Sequence, residues 1–173
     1  MEKTRIKYFT SLDNIIGLMK KELGEKISPL RLQKTLYFLF AYYGASYGSM
    51  SESKEYKESQ NEMMNLPPYL FNAEFEAWQY GPVLREVYFG HKYNNFVEEC
   101  EFDPSNIEIQ DETMRVEVIE YLKELIRNTS EVSDFGLVER SHEDDEWNAK
   151  ISIQGTMDND NIIEEYKEIV NGK

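Results

Sequence analysis

Cysteine occurs once in this sequence, at Cys100, so no disulfide can form within the chain. That fits a reducing compartment, and a lone thiol with no evident histidine partner reads as a structural residue. Histidine occurs only twice, at His91 and His142, far apart in sequence; pairing either with Cys100 as nucleophile and base is a question of geometry alone. No apolar stretch approaches the ~20 residues a membrane span needs, and Met1 to Thr10 is charged, with no apolar signal-peptide run. A cytoplasmic protein without a membrane partner is expected. Also missing are a phosphate-cradling glycine loop, a GxSxG elbow and an HExxH pair. The expectation is a chain that is not an enzyme and needs no cofactor and no metal.

Basic residues are scarce as well. Lysine and arginine total 19 against 33 aspartates and glutamates, a net charge of −14. Such a surface repels a phosphate backbone, so direct nucleic-acid binding is not expected. It attracts a basic partner protein, or serves solubility alone.

What is present suits one core. The hydrophobic fraction is 40%, with 12 tyrosines and 9 phenylalanines in 173 residues. No repeat and no Pro/Gly-rich linker divides the chain, so residues 1–173 read as a single domain with its core from about 11 to 170. The polar, aperiodic stretch at 49–65 reads as a surface loop.

Helical spacing recurs. Ser11 caps a run through Leu12, Ile15, Ile16, Met19 and Leu23 that stops at Gly24. Ser28-Pro29 is a cap followed by a proline at the first helical position. The segment it opens, through Leu32, Leu36 and Phe40 to a stop at Gly44, is apolar on more than one side and predicts the central buried helix. Phe71 to Trp78 alternates with a period of two and predicts a short strand. Tyr80-Gly81-Pro82 reads as a turn feeding a helix that starts at the proline. Further helices are predicted behind Asp111 or Thr113, from Ser133 through Arg140, and after Asp160; Ile151 to Ile153 reads as a strand fragment. The fold class is mainly α, with a small β element. Leu32, Leu36, Phe40, Leu84, Val118 and Leu122 should be buried.

His142-Glu143-Asp144-Asp145-Glu146 is the densest group of candidate metal ligands. Consecutive residues rarely converge on one ion, so a solvated acidic loop is expected, anchored by a buried Trp147; an exposed interface tryptophan is the alternative. Asp158, Asp160 and Glu164 or Glu165 resemble a calcium loop only faintly, with Ile163 where glycine is required, and read as a capped helix start.

Two constellations stand out. One is Ile27 to Tyr37, where Gln33 and Lys34 interrupt an apolar helix. The other is Phe75-Glu76-Ala77-Trp78-Gln79-Tyr80-Gly81-Pro82-Val83, where rigid aromatics flank a glycine turn. Together with the pattern from Val132-Ser133-Asp134-Phe135 through His142 to Trp147, they resemble the Panacea domain, the SocA-like antitoxin family also found in prophages. The resemblance runs from about Asp13 to Tyr166. Thr35 departs from it by replacing a leucine, and the stretch from Ser49 to Leu70 is longer than the family's.

The resemblance implies a protein-binding antitoxin that neutralises a cognate toxin by direct contact, or an adaptor that delivers it to a Clp-type protease. It implies no catalytic residues. The net charge suggests a second role, an acidic phage-encoded inhibitor that occupies the basic nucleic-acid groove of a host defence protein. The motif residues Gln33, Lys34, Tyr37, Glu76, Trp78, Tyr80, Gly81, Pro82, His142 and Trp147 are the candidate partner-binding set. Separate stretches that share a motif usually meet in space, so the corner, the central helix and the segment from His142 to Trp147 should lie together. Their polar members then either form an internal hydrogen-bond network or line a binding face.

Overall fold

The computed structural model describes residues 6–24, 26–49, 66–93, 96–109 and 111–172. From residue 50 onward, the loop expected at 49–65 lies outside the described residues. The described residues form eight α-helices and a sheet of two strands, the mainly α fold with a small β element that the patterning predicts.

The helices begin where side-chain caps are available. Ser11 Oγ accepts the Asn14 amide to open α1 (Leu12–Leu23), and Ser28 Oγ accepts the Arg31 amide to open α2 (Pro29–Tyr43). Asp111 caps α5 (Glu112–Ser130), Ser133 caps α6 (Asp134–Ser141) and Asp158 caps α8 (Asn159–Val170). The last of these bears out the capped helix start expected there. Shorter helices are α3 (Arg85–Tyr93), α4 (Phe96–Glu99) and α7 (Asp145–Lys150).

Helix α2 is the axis of the molecule. It packs against α1, α3, α5, α6, α8 and the hairpin, and eleven of its residues are buried. Leu32, Leu36, Phe40, Leu84, Val118 and Leu122 are all buried, as expected. The buried side chains form one cluster fed by all of these elements, with aromatic edge-to-face contacts among Tyr37, Phe40, Phe75 and Tyr166 near its centre.

Four local expectations are corrected. Gly44 does not stop the central helix. Its backbone stays helical, and a π-helical turn continues over Gly44–Gly48. The glycine is there for space, since a Cβ would lie 2.5 Å from Ile163 of α8. The strand is shorter than Phe71–Trp78: β1 is Phe75–Trp78, although burial alternates from residue 71 onward. Pro82 does not start a helix. It lies inside β2 (Gly81–Leu84), and α3 begins at Arg85. Ile151–Ile153 is a 3-10 turn, not a strand.

The hairpin explains the proline. β1 and β2 pair antiparallel, with Trp78 opposite Gly81 and Ala77 opposite Pro82. In such a ladder, alternate pairs turn their polar groups outward. Ala77 sends its N–H to the Gly155 carbonyl, and Phe75 accepts from the Met157 amide. Pro82 occupies the matching outward position in β2, where its missing N–H costs the ladder nothing.

Candidate functional site

The three stretches that carry the sequence pattern meet at the hairpin. Gln33 Nε2 donates to the Leu84 carbonyl at 3.1 Å, and its Oε1 accepts the Leu84 amide at 2.9 Å. Lys34 Nζ donates to the Pro82 carbonyl at 2.7 Å. The outward-facing groups of β2, which would otherwise form a bare edge, are thus taken up by two side chains of α2. An amide offers one donor and one acceptor side by side, as a neighbouring strand does. That is why glutamine fits opposite Leu84 and an ammonium suffices opposite a proline, which has only a carbonyl to satisfy.

Lys34 is fully buried. Burial pulls its ammonium down to about 7, because the charged form loses its hydration there. Gly81 makes room for this arrangement. It has φ +105°, and a Cβ on it would sit 2.4 Å from Ser141 Oγ and 2.7 Å from Lys34 Cε.

The segment from His142 to Trp147 closes the other side. Trp147 Nε1 donates to the Trp78 carbonyl at 2.9 Å, and its ring is buried. The His142 ring stacks on it with centroids 4.2 Å apart, and His142 Nε2 donates to the Gln79 carbonyl at 3.0 Å. Glu76 binds Arg85 through both carboxylate oxygens, at 2.9 and 3.0 Å, and this pairing holds its carboxyl below the usual range. Tyr80, at the hairpin tip, is 52% exposed. It is the most open residue of the motif set.

The acidic run is not a solvated loop. Asp144 is 1% exposed and Glu146 6% exposed. Asp144 Oδ2 accepts the Tyr37 and Tyr166 hydroxyls at 2.5 and 2.7 Å, and Oδ1 accepts Arg140 Nη1 at 2.7 Å. Burial, then Asp144, pushes Tyr166 well above the usual tyrosine range. Tyr37 is raised by burial, then by Tyr166 and Asp144. Both phenols therefore stay protonated donors to a carboxylate. Glu146 accepts from Lys150, Asn161 and the Asp158 amide, tying α7 to the start of α8. The expectation failed because the string of charges looks uniform, while the helix turn selects two members and points them inward.

Sequence reasoning thus missed Asp144, Arg140 and Tyr166. The available signal was the spacing of Arg140 and Asp144, an i,i+4 pair across a helix end. Cys100 is buried, and burial pushes its thiol up to about 11, away from a nucleophile's range. Among the described residues, no three His, Cys, Asp or Glu side chains are disposed to hold a metal ion, and no helix is long and apolar enough to cross a membrane.

This geometry defines a helical scaffold assembled round a short, side-chain-sealed hairpin. Residues 67–148 match the family model "Antitoxin SocA-like, Panacea domain", which bears out the resemblance over that span and supports an antitoxin-type role. The span covers just under half of the chain and includes the corner and the segment from His142 to Trp147, while the helix bearing Gln33 and Lys34 lies before it. No curated protein and no solved structure matches the chain.

Proposed function

We propose that the chain works as an antitoxin by binding a partner protein directly, and that it catalyses no reaction. The observation that carries this reading is the family match over residues 67–148. The structure adds a reason to separate scaffold from contact surface. Gln33, Lys34 and Trp147 spend their polar groups on the hairpin backbone, so their place in the pattern is explained by folding. The partner is then met elsewhere, by the exposed and uncompensated parts of an acidic surface.

The partner in this reading is a toxin with a basic face. Neutralisation proceeds by occlusion or by delivery to a Clp-type protease, and a cytoplasmic setting suits both. The net charge of −14 also supports the second reading, an inhibitor occupying the basic nucleic-acid groove of a host defence protein.

Co-expression with the neighbouring gene separates them. The antitoxin reading expects that gene to arrest growth alone and the chain to restore it. A harmless neighbour removes that reading. Partner binding that nucleic acid displaces, and that falls steeply with salt, favours the inhibitor.

A further inference from the structure

A groove of about 1440 Å³ runs between residues 6–13 and the outer side of the hairpin and α3. Three independent features of it agree. The first is charge. Asp13, Glu74, Glu86 and Glu108 line it, and none of them makes an ion pair among the described residues. Among the described residues, Lys7 stands against them, since Arg85 is already matched by Glu76. Glu86 is held above its usual range by burial, and then by the repulsion of Asp13 and Glu74.

The second feature is apolar surface beside that charge. Ile6 is 41% exposed and Phe89 40% exposed, and both line the groove with Phe96. The third is backbone. Tyr69 donates to the Lys7 carbonyl and accepts from the Phe9 amide. This parallel bridge leaves the N–H and C=O of Tyr8 turned away from it, and neither makes a hydrogen bond among the described residues.

We propose that this groove is the docking site for an extended, basic segment of the partner protein, with alternating arginine or lysine and apolar side chains. The extended form follows from the open backbone at Tyr8, which accepts an added strand. The basic side chains follow from the four uncompensated carboxylates, and the apolar ones from Ile6, Phe89 and Phe96. A second copy of this chain is a poor occupant, since it brings more negative charge to an acidic groove. The proposal rests on the reading of the chain as a protein-binding antitoxin.

The test uses the full chain and a fluorescein-labelled decapeptide of alternating arginine and leucine, read by fluorescence anisotropy. Deca-arginine and an alternating glutamate–leucine decapeptide serve as controls. The double variant Glu74→Gln/Glu86→Gln should weaken the arginine–leucine peptide by about tenfold or more, while Glu131→Gln/Glu139→Gln, with the same charge change outside the groove, should change it by less than about twofold.

Equal weakening in the two double variants would overturn the proposal, as would deca-arginine binding as well as the mixed peptide. So would no binding by the wild-type chain, or self-association in sedimentation that the groove variant abolishes. Growth rescue in parallel keeps the two levels apart. A groove variant that still neutralises removes the docking site and leaves the antitoxin reading. A harmless neighbouring gene removes the antitoxin reading, and the peptide measurement still decides on the groove.

Discussion

The two flanks of the hairpin treat polar groups in opposite ways. On the α2 side, the Pro82 carbonyl and both polar groups of Leu84 are met by Lys34 and Gln33 in a dry interior. On the groove side, among the described residues, Asp13, Glu74, Glu86 and Glu108 make no ion pair and the Tyr8 backbone stays open. Both flanks carry polar residues, yet among the described residues only one is satisfied internally. A polar residue inside an apolar helix was satisfied internally, whereas scattered, ordinary-looking acidic residues, Asp13, Glu74, Glu86 and Glu108, make no ion pair among the described residues. Rarity in sequence therefore marked the scaffold here, and lack of internal compensation marks the surface.

That contrast breaks most readily at the buried carboxylate. Asp144→Ala removes the acceptor of two tyrosine hydroxyls and of Arg140. A loss of about 3 kcal/mol is expected in urea unfolding, near the low end for a broken buried pair because Arg140 is partly exposed. Gly81→Ala should cost about 2–4 kcal/mol, since φ +105° strains any side chain and the Cβ meets Ser141 and Lys34. A melting temperature close to wild type in either variant would contradict the packing described.

Gln33→Leu keeps the bulk and strands the Leu84 N–H and C=O. The expected loss is about 1–3 kcal/mol, with faster amide exchange at Leu84.

Lys34 gives a pH signature instead of a single number. Its ammonium is held at about 7 in the folded chain against 10.5 as the ordinary value, so the unfolded chain binds more protons between those limits. Stability should therefore rise with pH across that window and lose the gain as pH falls towards 7. Lys34→Met should abolish this slope in denaturant titrations from pH 6 to pH 10, expressed as the difference between the two proteins. Parallel curves would show that the lysine is not held in a dry site. The smallest effect on stability belongs to Glu74→Gln/Glu86→Gln, within about 0.5 kcal/mol of wild type; like-charge repulsion is relieved and no internal bond is lost.

How far the sequence could be read follows the same physics. The central helix was legible because Ser28 and Pro29 signal its start and Leu32, Leu36 and Phe40 its burial. The corner was legible as a unit, since Trp78, Gly81 and Pro82 are uncommon together. Its internal geometry was not: a proline after a glycine reads as a helix start, and only the pairing with Ala77 and the carbonyl aimed at Lys34 make it a strand residue. Beyond its i,i+4 spacing from Arg140, nothing singled out Asp144 among neighbours of like charge, because its role depends on Tyr37 and Tyr166, which are distant in sequence and bring it their hydroxyls. Gly44 looked like a stop because the approach of Ile163 is a tertiary fact.

Amide hydrogen exchange of the chain, free and bound to the partner protein proposed for it, tests the separation of scaffold from surface most directly. Protection should be gained at residues 6–13, 72–76 and 85–89, while Leu84 and the amides around Trp147, which are hydrogen-bonded within the chain, stay unchanged. Protection gained instead at the hairpin tip around Tyr80 and at His142, with the groove unaffected, would contradict the account and return the contact surface to the motif residues themselves.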